Sequence, residues 1–498
     1  MASISSSRSL PKRASKVSFK EPSEFDLFYQ LIYMSAVASA GIARSRLFQL
    51  AARLLRPPAE YFKRIHLLCE KLGYNYPSAC NVVGQRAKSE SMKALLLRLA
   101  DALASGHPEV SFLTEEAQVQ REAYEKEYDR NLASLTKWTD AYGAIVVSSA
   151  LIIIVNLTST MIYDLGATMT AALVLTAVLV SASGAWIISR AAPCEAEVAF
   201  SRDGPPSQRL VLTLARATPV AVVAASTALV VMGAAVGWAL IVAGLLLLPL
   251  GVASIKAAGE VERKDKEIGP FLRSFGAVAS SASTTLSEAL TMIDLSSFPH
   301  LQGDLKRLGW RFKAAISPGL SWSKFASETG SRLIGETITI FYDAIELGGD
   351  ADMVGSLCSQ FATTEVMLRA RRRVVASTFA SLTMVMHGAI SVLMIIILEV
   401  IRRFSQMVSA AAANLQGQEA MRSMQLPMLS FGSPILGVLT TLTYAMVVVL
   451  ALINAYAIIA ADGGHIVKGT FHLAVLLLLS GLSFLLTPPL VGMILRVG

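Results

Sequence analysis

Four arginines fall within five positions of the stretch "RARRRVVAS": Arg369, Arg371, Arg372 and Arg373. The run that follows, 374–398, holds no Asp, Glu, Lys or Arg. Clustered guanidinium groups can bind nucleic acid, the phosphates of a lipid surface or an acidic protein. No DNA-reading motif or aromatic platform accompanies these four, which disfavours nucleic acid. Their position against a long apolar run assigns them to topology and anionic lipid headgroups. A second basic group lies on "DLKRLGWRFKAA": Lys306, Arg307, Arg311 and Lys313. Positions 307 and 311 share one face of a helix. A solvated face is the plain reading of this group, and docking to an acidic partner is the functional one. Glu346, Gly348 and Gly349 form a third candidate, either a helix C-cap or a loop presented to a partner.

Catalytic and metal-binding patterns are missing. No GxxxxGK[ST] stretch exists, so no phosphate-cradling loop is expected. The six histidines form no HxxxH or HExxH pair, and the four cysteines form no CxxC. Cofactors, metals and catalytic residues are all expected to be none. Within apolar runs, ionisable groups carry a functional question. His387 lies in the middle of one and is assigned a bond to a neighbouring helix. Glu399 has Arg402 and Arg403 three and four residues on, the spacing of an ion pair.

The elements that must position these residues are set by composition. Hydrophobic residues make up 53%, charged residues only 16%, and mean hydropathy is +0.54. A soluble domain carries about a quarter charged residues, so the fold class is all-α, a multi-span membrane protein. A span needs about 20 apolar residues. Runs at 141–163, 166–189, 217–235, 237–255, 374–398, 428–461 and 469–495 give seven, with turns expected near Asp164 and Gly233–Gly237. Polar segments 25–140 and 256–373 would form two helical-bundle domains. Residues 399–427 would be an outer loop, helical in part, and residues 1–24 a disordered basic tail. The apolar stretch "FDLFYQLIYMSAVASAGIA" is read as an amphipathic helix, because Asp26 interrupts it. Stripes at Leu95, Leu99, Leu103 and at Ile334, Ile338, Phe341, Ile345 have helical spacing. The charged stretch before the first span and "SQFATTEVMLRARRR" before the fifth are each expected to run into the span as one helix.

Charge then orients the chain. Of 44 Lys and Arg, residues 1–140 hold 20, 190–216 hold 4, 256–373 hold 15, and Lys468 is one more. Placing these segments in the cytoplasm satisfies the positive-inside rule, with the amino terminus inside. Only Arg402, Arg403, Arg422 and Arg496 are left outside.

The chain also repeats itself. "DALASG" at 101 pairs with "DAIELG" at 343, "AVAS" at 36 with "AVAS" at 277, and "LIIIV" at 151 with "MIIIL" at 394. The offsets cluster near 242, and they relate residues of about 30–160 to 271–402.

On these residues the chain resembles a known family. "PFLRSFGAVASSASTTLSEAL" (270–290), "YDAIELGGDADMVGSL" (342–357), "YMSAVASAGIARSRLFQLAA" (33–52) and "LLLRLADALASG" (95–106) are similar to the helical domains of the type II secretion F family. Four spans between the domains resemble its archaeal branch, which serves archaella and type IV-like pili. The resemblance implies a cell-membrane platform, a homodimer, that couples a cytoplasmic hexameric secretion ATPase to pilin-type subunits. Glu346, Gly348 and Gly349 match the family's E.GG pattern and would be presented to the ATPase; the basic group of Lys306, Arg307, Arg311 and Lys313 would, on its functional reading, dock the same ATPase. The family commonly has Gly in the first turn of the second domain. Here that place reads Ser281–Ala282, whereas the first half keeps Gly41. A membrane transporter or channel remains the alternative, and would need polar residues along several spans. A receptor would need an outer sensor domain larger than the outer segment expected here.

Overall fold

The computed structural model describes residues 21–159, 166–193, 204–282, 285–415 and 433–494, and no strand occurs among them. The described residues form sixteen α-helices: α1 (Glu24–Ala38), α2 (Arg44–Ala51), α3 (Ala59–Leu72), α4 (Tyr76–Gln85), α5 (Glu90–Ser105), α6 (Glu109–Ser159), α7 (Gly166–Ala191), α8 (Pro206–Val231), α9 (Val236–Ser281), α10 (Leu286–Met292), α11 (Gln302–Lys313), α12 (Pro318–Thr329), α13 (Arg332–Glu346), α14 (Ala351–Leu415), α15 (Ser433–Asp462) and α16 (Gly469–Ile494). Seven of them, α6–α9 and α14–α16, contain stretches long and apolar enough to cross a membrane. The protein is an all-helical, multi-pass membrane protein.

Three spans are the ends of much longer helices. The 51 residues of α6 and 65 of α14 run without a break from charged sequence into apolar sequence, and the 46 of α9 run from apolar sequence into charged. Backbone hydrogen bonds are satisfied inside a helix, so continuing it is the simplest way to enter a bilayer. The break between α8 and α9 falls at 232–235, where Gly233 takes φ 76°, as the glycines predict. The α14 helix continues to Leu415, so the expected outer loop begins with helix; 416–427 lies outside the described residues, as do the turn at Asp164 and most of the basic tail.

The described residues divide into two compact units. One comprises α1–α5, the start of α6 and residues 344–349; the other comprises the remainder. In the first unit, Ser23 caps α1 reciprocally with Asp26. The helix that follows is not amphipathic: every residue from Leu27 to Ala38 is buried, so α1 is the centre of its bundle. Leu95, Leu99 and Leu103 of α5 are buried as their spacing predicts. In the second unit Phe271, Phe275, Trp322, Phe325 and Phe341 form an aromatic core with ring centroids 5.4–5.9 Å apart. Ile334 and Ile338 of α13 are buried beside Phe341, while Ile345 is only half-buried.

Span packing depends on small residues. Without a hydrophobic drive between helices in lipid, close contact of backbones supplies the attraction. Gly237, Gly244 and Gly251 recur every seven residues on α9, and a Cβ at each would collide with α16 at Gly481, Ala474 and Phe471. Gly184 also sits tightly, against the Tyr142 ring, whereas a Cβ at Gly143 or Gly388 would make only ordinary contacts.

The helix order repeats. Helices α2–α6 begin at 44, 59, 76, 90 and 109; α10–α14 begin at 286, 302, 318, 332 and 351. The separations are all 242 or 243, which matches the offset of the sequence repeats. Turn geometry repeats too: Gly106 and Gly348 both take positive φ after α5 and α13, at 74° and 90°. Gly73, at φ 68°, corresponds to Ala315, a non-glycine residue held at positive φ, 55°. The Gly41 turn, at φ 62°, is not copied at Ala282, which keeps a right-handed φ of −81°; residues 283 and 284 lie outside the described residues.

Candidate functional site

The second basic group lies on α11. Asp304, Leu305 and Leu308 form the buried face of this helix. The opposite face carries Lys306, Arg307, Trp310 and Lys313, all exposed. Trp310 is 66% exposed, an unusual position for a large aromatic side chain. Charge pattern alone marks the basic residues and not the tryptophan between them. The i, i+4, i+7 spacing of Lys306, Trp310 and Lys313 was the available signal.

Arg307 and Arg311 have a second task. Lys264 Nζ of α9 lies 2.8 Å from Asp304 Oδ2. Arg307 pairs with Asp304 and, 3.1 Å from Nε to Oε2, with Glu328 of α12; Arg311 pairs with Glu328 as well. The result is an alternating chain, Lys264, Asp304, Arg307, Glu328, Arg311, that links three helices. Asp304 is 3% exposed. A buried carboxylate stripped of its cations is strongly destabilising, so these two arginines hold the bundle together whatever else they do. Lys306 and Lys313 point to solvent and are the better probes of docking.

Glu346 and the two glycines end α13. The Gly348 and Gly349 amides donate to the carbonyls of Ile345 and Ala344, each at 2.9 Å. A Cβ on Gly349 would press on the Ala344 carbonyl and the Ser39 hydroxyl. The geometry here is that of a helix C-cap.

The four-arginine stretch lies inside α14 and faces in two directions. Arg372 is 3% exposed. Its Nε donates to the Ala461 carbonyl at 2.9 Å, Nη1 to Pro193 at 2.7 Å and Nη2 to Ala460 at 3.1 Å. Ala460 and Ala461 lie in the last turn of α15, where carbonyls lack helical partners and the dipole favours a cation. Gly463, at φ 78°, leaves room for the guanidinium beside it. Arg369 is also turned inward, 3.3 Å from Asp265 and 3.8 Å from Glu365. The lipid assignment is corrected for these two, because packing of α14 against α9 and α15 encloses them. Arg371 and Arg373 stay partly exposed, the former 2.9 Å from Asp129 and the latter on Glu262. Burial pushes the Glu262 carboxyl up, but Lys266 and Arg373 outweigh it and hold it below its ordinary value.

Within the spans, His387 joins a directional chain of hydrogen bonds. Tyr142 Oη donates to Asn454 Oδ1 at 2.7 Å; Asn454 Nδ2 meets His387 Nδ1 at 3.3 Å; His387 Nε2 meets Ser480 Oγ at 2.8 Å; Ser480 donates to the Leu476 carbonyl at 2.9 Å. A neutral ring protonated on Nε2 satisfies every step. All four side chains are at most 1% exposed, and they lie on α6, α15, α14 and α16. The expected bond to a neighbouring helix is present, extended to three. Glu399 pairs with Arg403 at 3.2 Å and Arg402 at 3.7 Å, as their spacing predicts.

Among known proteins, the chain is similar to "Flagella accessory protein J" of Methanocaldococcus jannaschii, 22% identical over 456 residues, covering 88% of this chain and 79% of that protein. The protein of the same name from Methanococcus voltae is 21% identical over 465 residues, with the same coverage. No family model and no solved structure matches.

Proposed function

We propose that this chain is the membrane platform of an archaellum or type IV-like pilus machine. In this reading both helical bundles and the amino terminus lie in the cytoplasm. A secretion ATPase docks on α11, and its conformational work is passed to insertion of pilin-type subunits. Nucleotide hydrolysis belongs to the partner. The observation that carries the reading is the similarity to two flagella accessory proteins along 88% of the chain. The repeated helix order, the uneven distribution of Lys and Arg, and the basic face around Trp310 support it. A transporter reading would build on His387 and its neighbours. Their bonds close on the Leu476 carbonyl, however, which suits a brace between spans.

The test uses the full chain in nanodiscs with the secretion ATPase of the same cell. Trp310→Ala combined with Lys306→Glu and Lys313→Glu should abolish ATPase binding, and filaments in cells, at unchanged membrane abundance. Wild-type binding by this variant would refute docking on α11. A purified chain that retains no ATPase at all would refute the platform reading.

A further inference from the structure

The repeat carries the docking argument to a second place. Aligned by their starts at 59 and 302, α3 reads "AEYFKRIHLLCE" and α11 reads "QGDLKRLGWRFK". The two helices agree in burial class, residue by residue, at ten of these twelve positions. They are therefore set into their bundles in the same way. Tyr61, Phe62 and Ile65 are buried on α3 where Asp304, Leu305 and Leu308 are buried on α11. Outside, Lys63 and Arg64 occupy the places of Lys306 and Arg307. Leu67, 45% exposed, occupies the place of Trp310.

Packing explains why the buried residues correspond. It does not explain the outer lysine and apolar residue, because an exposed lysine followed four residues later by an exposed large apolar side chain adds nothing to either core. Single exposed apolar residues are ordinary. The same apolar position beside the same lysine on both copies calls for a shared contact. We propose that α3 carries a second docking face, equivalent to that of α11, for the same partner: a protein that presents an acidic surface with an apolar pocket more than once, as a ring of identical subunits does. The inference rests on the docking reading of α11.

The two faces differ in strength. Glu60 lies 3.9 Å from Lys63, and Glu70 stands where α11 has Lys313. The Lys63–Glu60 pair is solvent-exposed, with side chains 57% and 50% accessible, and such pairs contribute little. Lys63 is therefore available to a carboxylate on the partner. Leucine and a lower positive charge make α3 the weaker of the two faces.

The experiment again uses the full chain in nanodiscs and the secretion ATPase of the same cell. A photo-crosslinking residue is placed at Leu67 in one sample and at Trp310 in another. Both should yield a covalent adduct with the ATPase. Lys63→Glu with Leu67→Ser should weaken ATPase binding roughly tenfold or more, whereas Lys63→Arg with Leu67→Met should retain it. Protection of the buried Cys80 thiol in the same bundle reports whether each variant is folded. An adduct from Trp310 but none from Leu67 would overturn the second face and leave docking on α11 standing. An adduct from Leu67 to a second copy of this chain would overturn it as well. No adduct from either position would remove both the inference and the reading beneath it.

Discussion

Replacing Arg372 with alanine removes one guanidinium that donates to three backbone carbonyls, two at the end of α15 and one at Pro193. A hydrogen bond from a charged donor contributes about 1.5–3 kcal/mol net, and an acceptor left buried without a donor costs about 1–3 kcal/mol. The Pro193 and Ala460 bonds are only partly buried, so water can take over some of the load. The expected loss is therefore about 3–5 kcal/mol, the range for breaking a buried charged interaction. Arg372→Lys keeps the charge but cannot span three acceptors from one ammonium, and about 1–2 kcal/mol should be lost. Arg371 is the internal control. Its side chain is 44% exposed on a 52% exposed Asp129, so Arg371→Ala should cost less than about 1 kcal/mol. The assay is unfolding in nanodiscs, with and without anionic lipid, at matched protein abundance. If Arg372→Ala and Arg371→Ala destabilised equally, or if the loss at 372 disappeared once anionic lipid was omitted, the carbonyl clamp would be refuted and the lipid assignment restored.

His387→Ala should destabilise the span bundle by about 2–4 kcal/mol through the cavity and two lost bonds, with Ser480→Ala below about 1.5 kcal/mol, both read from unfolding in detergent. Ala315→Gly should stabilise the protein by about 1 kcal/mol, since Ala315 holds a positive φ that Gly73 adopts freely in the corresponding turn; a lower midpoint of unfolding would contradict this. In a variant with Cys194 replaced, a thiol reagent at neutral pH should label Cys69 first, because Cys80 is buried with its thiol pushed up to about 12 and Cys358 is buried and pushed up as well. Faster labelling of Cys80 than of Cys69 would show that the first bundle is not packed as described.

Sequence alone determined whatever depends on local composition and period. Uncharged runs near 20 residues specified the spans, because unpaired backbone groups in lipid leave helix as the accessible conformation. Gly233 and Gly348 marked real helix ends, since each takes a left-handed conformation that costs other residues energy. An offset near 242 anticipated the repeated helix order. Contacts between distant residues were beyond its reach. Arg369 and Arg372 look identical to Arg371 and Arg373 in sequence, yet two turn inward because α9 and α15 happen to supply carboxylates and carbonyls on that side of α14. Apolar α1 could be read as amphipathic until its neighbours covered it on every side. Arg307 and Arg311 share a face by periodicity, but only packing of α11 against α9 and α12 brings Lys264 and Glu328 to them. Burial is a property of three-dimensional packing, and so the choice between a charge that docks a partner and a charge that binds its own fold was made there.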